Sequence, residues 1–114
     1  MTSQEKLAEI ISVVDEMKAE NIETVDVRAK TTVTDYHLVC SGTSDRHVQS
    51  IADRVEERMR SLKSRMLRGE GDRTGWVLQD YGDVVLHVML EEQRQFFDIE
   101  TLWKTAPVDE TAIV

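Results

Sequence analysis

Apolar residues recur along this chain with two periods, and the switches between them mark the elements. Thr2 and Glu5 have the spacing of a capping box. Leu7, Ile10, Ile11, Val14 and Met17 then follow at steps of three and four. This pattern predicts an amphipathic helix that ends near Asn21. "IETVDVRA" alternates as a strand does, with Val25 and Val27 on one face, and a polar loop, "KTTVTD", leads to a second strand, "YHLVCSG". Ser44 is placed to cap a long second helix whose apolar stripe is Val48, Ile51, Ala52, Val55, Met59, Leu62 and Met66. "RGEGDRTG", with three glycines, reads as a loop. "EEQRQFFDIETLWK" reads as one or two helical turns carrying Phe96, Phe97, Ile99, Leu102 and Trp103. The predicted order is α-β-β-α-β-β-α, an α/β fold with helices covering a small mixed β-sheet. With no repeat, low-complexity tract or Pro/Gly-rich linker, residues 1–106 are expected to form a single domain. Pro107 begins a tail, 107–114, expected to be frayed.

The two strands between that loop and the last helix form a hairpin, "WVLQDYGDVVLHVML", from Trp76 to Leu90. A two-residue loop of Gly82 and Asp83 puts glycine where a type II′ turn needs positive φ. Tyr81 then faces Val84, Gln79 faces Leu86, and Val77 faces Val88. Moving the loop one residue back would oppose Asp80 and Asp83, and like charges directly opposed are destabilising. The preferred register sends Val77, Gln79, Tyr81, Val84, Leu86 and Val88 under the helices. It leaves Trp76, Leu78, Asp80, Val85, His87 and Met89 on the other face. Such a mixed face is what a protein-binding surface often looks like, since Trp and Met are enriched at interface centres. A second core layer, or a contact between identical subunits, has the same periodicity.

Charge narrows the function classes. The chain has 114 residues, 40% of them hydrophobic and 32% charged, as expected of a globular protein. Fourteen Lys and Arg against 22 Asp and Glu leave a net charge of −8, which suits extensive nucleic-acid binding poorly. From Arg58 to Arg68 there are five basic residues and no acid, whereas Thr74 to Val114 holds eight acids and two bases. The acidic C-terminal third suits a basic protein partner, and equally a solvated surface. The basic run suits a solvated helix end whose charges favour the C-terminal dipole. No apolar run approaches the roughly 20 residues that cross a bilayer, so no membrane association is expected. The polar N-terminus is not expected to act as a secretory signal. The single Cys40 fits a reducing compartment, and cytoplasmic localisation is expected.

Candidate chemistry is thin. Asp80 points to the Trp76 face while Asp83 lies in the turn, so the two carboxylates do not converge. A His–Asp pair with no positioned nucleophile makes no triad. His37, His47, His87 and Cys40 match no zinc spacing, so no metal is expected. "SGTSDRH" sets Gly42 and Ser44 before a helix N-terminus, where backbone amides can hold an anion. It lacks the Gly-Lys-Ser/Thr ending of a phosphate loop, and such a turn is also how a strand simply enters a helix. No cofactor is expected.

Taken together, these motifs resemble the ribosomal silencing factor family, also called iojap-like proteins. The likeness runs from about Leu7 to Trp103 and rests on "VDVR" followed by "TDYHLVCSGTSDRHVQSIA", on "WVLQDYGDVVLHV" and on "QFFDIETLW". Trp76, Asp80, Tyr81, Gly82, Asp83 and His87 stand where the family's "W-V-L-x-D-Y-G-D-V-V-x-H" has them. His37 and Phe97 fall where a Phe and a Tyr are more usual, and Ile99 where Leu is. The resemblance implies a nucleotidyltransferase-like topology without that fold's activity. It implies a cytoplasmic bacterial protein that binds the large ribosomal subunit at universal ribosomal protein number fourteen. The bound factor would block subunit joining by its bulk and catalyse no reaction. Homodimers are also implied, through an apolar surface that the ribosome would share.

The residue reading and the resemblance meet at Trp76, Leu78, Asp80 and Met89, with Glu91 and Glu92 just past the strand. This apolar patch with acidic edges is the expected partner-binding site, complementary to a basic protein. Two other classes compete. One is a nucleotidyltransferase-like enzyme or nucleotide binder using Gly42, Ser44 and Asp80. The other is a dimeric module with a self-complementary Trp76 face.

Overall fold

The computed structural model describes residues 1–71 and 75–101. Leu102, Trp103 and the expected tail 107–114 lie outside the described residues. The chain runs through α1 (Ser3–Glu16), β1 (Glu20–Asp26), β2 (Tyr36–Gly42), α2 (Asp45–Ser61), β3 (Arg68–Glu70), β4 (Trp76–Asp80), β5 (Val84–Leu90) and α3 (Glu91–Phe97). The strands form one mixed sheet in the order β1-β2-β5-β4-β3, with β2 and β5 parallel and the other pairs antiparallel. The α/β fold with helices over a small mixed sheet is therefore as expected.

Three boundaries differ from the expectation, each for a local reason. α1 opens on the capping box, with the Glu5 N–H donating to Thr2 Oγ1 and the Thr2 N–H to Glu5 Oε1. It stops at Glu16 rather than near Asn21, because Lys18 turns left-handed at φ 61° and Glu20 already begins β1. α2 ends at Ser61, and Lys63 at φ 60° turns the chain away. Leu62 is consequently half in solvent, and Met66 packs on the core from the loop. The glycine-rich stretch contains β3, an edge strand paired with β4. Its three residues are all exposed, so it carries no alternation for periodicity to detect.

The central strand β2 is buried along its whole length, because the sheet is covered on both faces there. On one face, Ile10, Val13 and Val14 of α1 and Val48, Ile51, Val55 and Met59 of α2 close over Leu38, Cys40, Leu86 and Val88. On the other, Val25, Val27, Val39 and Met89 pack with Ile99, which follows α3. α3 covers only one end of this second face. The candidate site starts at that end, on Trp76 and the aromatics of α3, and runs along β4 towards Asp80. No helix among the described residues is long and apolar enough to cross a membrane.

Candidate partner-binding surface

The β4–β5 hairpin has the expected register, pairing Trp76 with Met89, Leu78 with His87 and Asp80 with Val85. Tyr81 N–H donates to Val84 O at 2.9 Å, closing a two-residue loop in which Gly82 has φ 90°. Both turn aspartates serve the backbone or a neighbouring helix. Asp80 Oδ1 accepts from the Gly82 N–H at 2.8 Å, and Asp83 lies 3.5 Å from Lys6 of α1. Lys6 also donates to the Tyr81 carbonyl at 3.0 Å, tying the turn to α1. The helix-facing side is not purely aliphatic. Gln79 donates to the Ala52 carbonyl of α2 at 2.9 Å and accepts from the Tyr81 hydroxyl at 2.7 Å. Each buried polar atom in this link therefore has a partner, as burial demands.

On the second face, Trp76, Leu78 and Asp80 are each half-buried. Trp76 stacks obliquely on Phe97 with ring centres 4.8 Å apart, and Phe96 meets Phe97 edge-on at 5.0 Å. Phe96 is 81% exposed, an unusual state for an aromatic side chain, and it extends the Trp76–Phe97 pair into a ridge. Leu78 separates two hollows. One, of about 470 Å³, is lined by Glu70, Gly71, Trp76, Leu78, Gln93 and Phe97. The second, of about 390 Å³, has Val33, Leu78 and Val85 as apolar walls, with Arg68, Asp80 and two histidines as polar ones. Arg68 and Asp80 are opposite each other across β3 and β4.

Not every expected site residue reaches this surface. Met89 is fully buried, packed with Ile99 and Trp76 beneath the surface. Glu91 is exposed but partly engaged, accepting from Ser41 Oγ at 3.2 Å and from Asn21 Nδ2 at 3.5 Å. Glu92 is exposed. Phe96, Phe97, Glu70 and Arg68 belong to the surface although the sequence did not single them out. Two adjacent aromatics in a short helix were the available signal, since neighbours 100° apart do not both face a core.

Beneath the ridge two histidines are in contact. His87 Nε2 lies 3.0 Å from His37 Nδ1, and Trp76 Nε1–H donates to His87 Nδ1 at 3.2 Å. Burial holds both imidazoles neutral. It pushes His37 down to about 4, against a smaller upward pull from Asp80, and lowers His87 further, with His37 adding to the effect.

The residues of the competing nucleotide-binding arrangement are not brought together. Asp80 pairs with Val85, which pairs with His37 at the start of β2, whereas Gly42 ends that strand. At about 3.3 Å per residue this separates them by roughly 16 Å. The amides beside Gly42 are engaged by this chain's own side chains. His47 N–H donates to Ser44 Oγ at 3.1 Å and Thr43 N–H to His47 Nδ1 at 2.9 Å. His47 Nε2–H, fixed as the donor, binds the Met17 carbonyl at 2.8 Å. Burial raises the Cys40 thiol to about 12, so it is not a thiolate at neutral pH. No three His, Cys, Asp or Glu among the described residues stand close enough to hold a metal ion.

A sequence model described as "Ribosomal silencing factor during starvation" matches residues 1–114. The chain belongs to this family. It is 34% identical over 111 residues to "Ribosomal silencing factor RsfS" of Halalkalibacterium halodurans, covering 96% of this chain and 95% of that protein. It is 38% identical over 95 residues to the Bacillus subtilis protein of the same name, covering 82% and 80%. A mouse relative named "Mitochondrial assembly of ribosomal large subunit protein 1" is 30% identical over 105 residues, 89% of this chain and 46% of that longer protein. The crystal structure of a Chromobacterium violaceum protein superimposes with a TM-score of 0.89 at 31% identity, over 99% of this chain and 95% of that one. This family member thus shares its whole described fold with a solved neighbour.

Proposed function

We propose that this protein is a translational repressor that binds the large ribosomal subunit and blocks its joining with the small subunit. Its docking partner there is universal ribosomal protein number fourteen, and its own contact surface is Trp76, Leu78, Asp80, Glu91 and Glu92, widened by Phe96 and Phe97. The observation that carries the reading is the ridge of Trp76, Phe97 and exposed Phe96, bordered by acids on a chain of net charge −8. Aromatic anchors supply most of the energy of a protein interface, and a rim of opposite charge speeds encounter with a basic partner. The names of the relatives, ribosomal silencing factors and a protein of large-subunit assembly, support the same partner. They are regulatory rather than enzymatic names. Such a factor works where ribosomes are, in the cytoplasm. A homodimer formed through the same ridge would compete with docking.

Cosedimentation with separated subunits, followed by a subunit-joining assay, tests this reading. The wild-type chain is expected in the large-subunit peak and is expected to reduce joining. Trp76→Ala removes an anchor of the kind worth at least about 2 kcal/mol, roughly thirtyfold in affinity. Absence of the wild-type chain from that peak, or unchanged binding by the folded variant, overturns the proposal.

A further inference from the structure

The contact between Trp76 and the buried histidines has a direction. An indole N–H only donates, so His87 Nδ1, 3.2 Å away, must be the bare acceptor. A neutral imidazole has one proton, which His87 therefore carries on Nε2. That proton points at His37 Nδ1, 3.0 Å away, and leaves the His37 proton on its own Nε2. One donor at the surface thus sets the tautomers of two rings beneath it. Both histidines are only 4% exposed, so their own ring nitrogens meet little solvent. The ring planes of Trp76 and His87 tilt by 42° with centres 6.0 Å apart, so the hydrogen bond, not stacking, is the oriented contact between them.

We propose that His87 is the positioning residue of the docking surface: the chain Trp76 to His87 to His37 holds the indole at the angle it presents to a partner. The docking consequence rests on the function proposed above; the orientation of Trp76 does not. Protonating His87 would place a second N–H against the indole N–H and break the chain at its first link. Among the described residues, the charged groups facing the two rings are Asp80 of β4 and Arg68 of β3, which line the same hollow. Thr34 and Val33, from the loop before β2, and Val25, opposite His37 on β1, are uncharged. Phe97 abuts Trp76 from α3. Among the described residues, Asp80 favours a charged His37 ring, and burial opposes it more strongly.

Two measurements on the full chain test this. Long-range proton–nitrogen NMR at pH 7 is expected to show His87 with its proton on Nε2 and a bare Nδ1, and a Trp76 indole N–H that exchanges slowly with solvent. His87 protonated on Nδ1, or carrying two protons, overturns the chain. The second compares His87→Leu, which keeps bulk but offers no acceptor, with His87→Asn, whose side-chain oxygen falls near the Nδ1 position. In His87→Leu the Trp76 indole N–H is expected to exchange quickly and large-subunit binding to fall roughly tenfold, the scale of one lost buried hydrogen bond. His87→Asn is expected to recover slow exchange and much of the binding. If His87→Leu leaves exchange slow, the positioning role is wrong. Normal subunit binding by His87→Leu where Trp76→Ala fails also overturns it, with docking intact. If Trp76→Ala itself binds normally the docking reading fails, and tautomer and exchange rate alone decide the orientation. Should His87→Leu not fold, the wild-type tautomers and His87→Asn decide.

Discussion

At Gly42 there is no room for a side chain. A Cβ built there would meet Val48 Cγ2 at 2.7 Å and the Val48 backbone nitrogen at 2.9 Å. The glycine is therefore required for the close approach of β2 to the first turn of α2, not for an anion. Gly42→Ala is expected to destabilise the fold by about 1–3 kcal/mol, the usual cost of overpacking, read from the urea midpoint. Phosphate or sulfate is expected to leave that midpoint unchanged in wild type. A stable variant, or a wild type that anions protect, would restore the phosphate-site reading. Residue identity alone could not separate these cases, because a Gly-x-Ser before a helix serves both. The same limit explains Met89. Period-two alternation assigns it correctly to the Trp76 face, but which part of that face is covered depends on Ile99, ten residues further along.

Among the elements, the hairpin was legible in full and α3 was not. Strict alternation, a Gly-Asp turn and the cost of opposing Asp80 to Asp83 leave one register, and each constraint is local. α3 is only seven residues long and starts without a side-chain cap. It is held by Arg94, one of two bases in an acidic stretch that reads as solvated. In the fold Arg94 is buried. It donates through Nε and Nη2 to Glu100 at 2.7 and 2.9 Å and through Nη1 to Ser41 at 2.9 Å. Glu23 of β1 lies 3.9 Å away. Arg94→Met removes one partner and leaves the Glu100 carboxylate, 14% exposed, facing an apolar side chain. The expected loss is about 3 kcal/mol, the lower end for a broken buried pair because Glu100 retains some water. Arg94→Lys is expected to recover little, since an ammonium does not reproduce the forked contact. Hydrogen exchange should show the loss concentrated in α3 and at the Trp76 end of β4. Uniform loss over α1 and α2 would mean that Arg94 does not act as the clamp of α3.

For the whole molecule, the buried histidines couple folding to pH. Both have folded-state affinities for protons below the ordinary value of 6.5, His37 at about 4 and His87 lower still. The unfolded chain therefore binds more protons than the folded one below pH 6.5. Stability is then fully present above that value and is lost as pH falls towards the folded values. Each histidine contributes a slope approaching about 1.4 kcal/mol per pH unit once its unfolded form is fully charged. Glu5 and Asp26 are held below their ordinary values, Glu5 by hydrogen bonds from Thr2 and Asp26 by those from Arg28. Their contributions fade only below about pH 4.5, so the window from pH 6.5 to 5 belongs chiefly to the histidines. Urea midpoints across that window are expected to fall steadily in wild type and about half as steeply in His37→Phe, which removes one titrating ring. A flat wild-type profile would mean that both imidazoles are charged in the folded chain within that window. In that case Trp76 could not be donating to a bare Nδ1, and the charge beneath the docking face would have to be reassigned to a ring paired with Asp80.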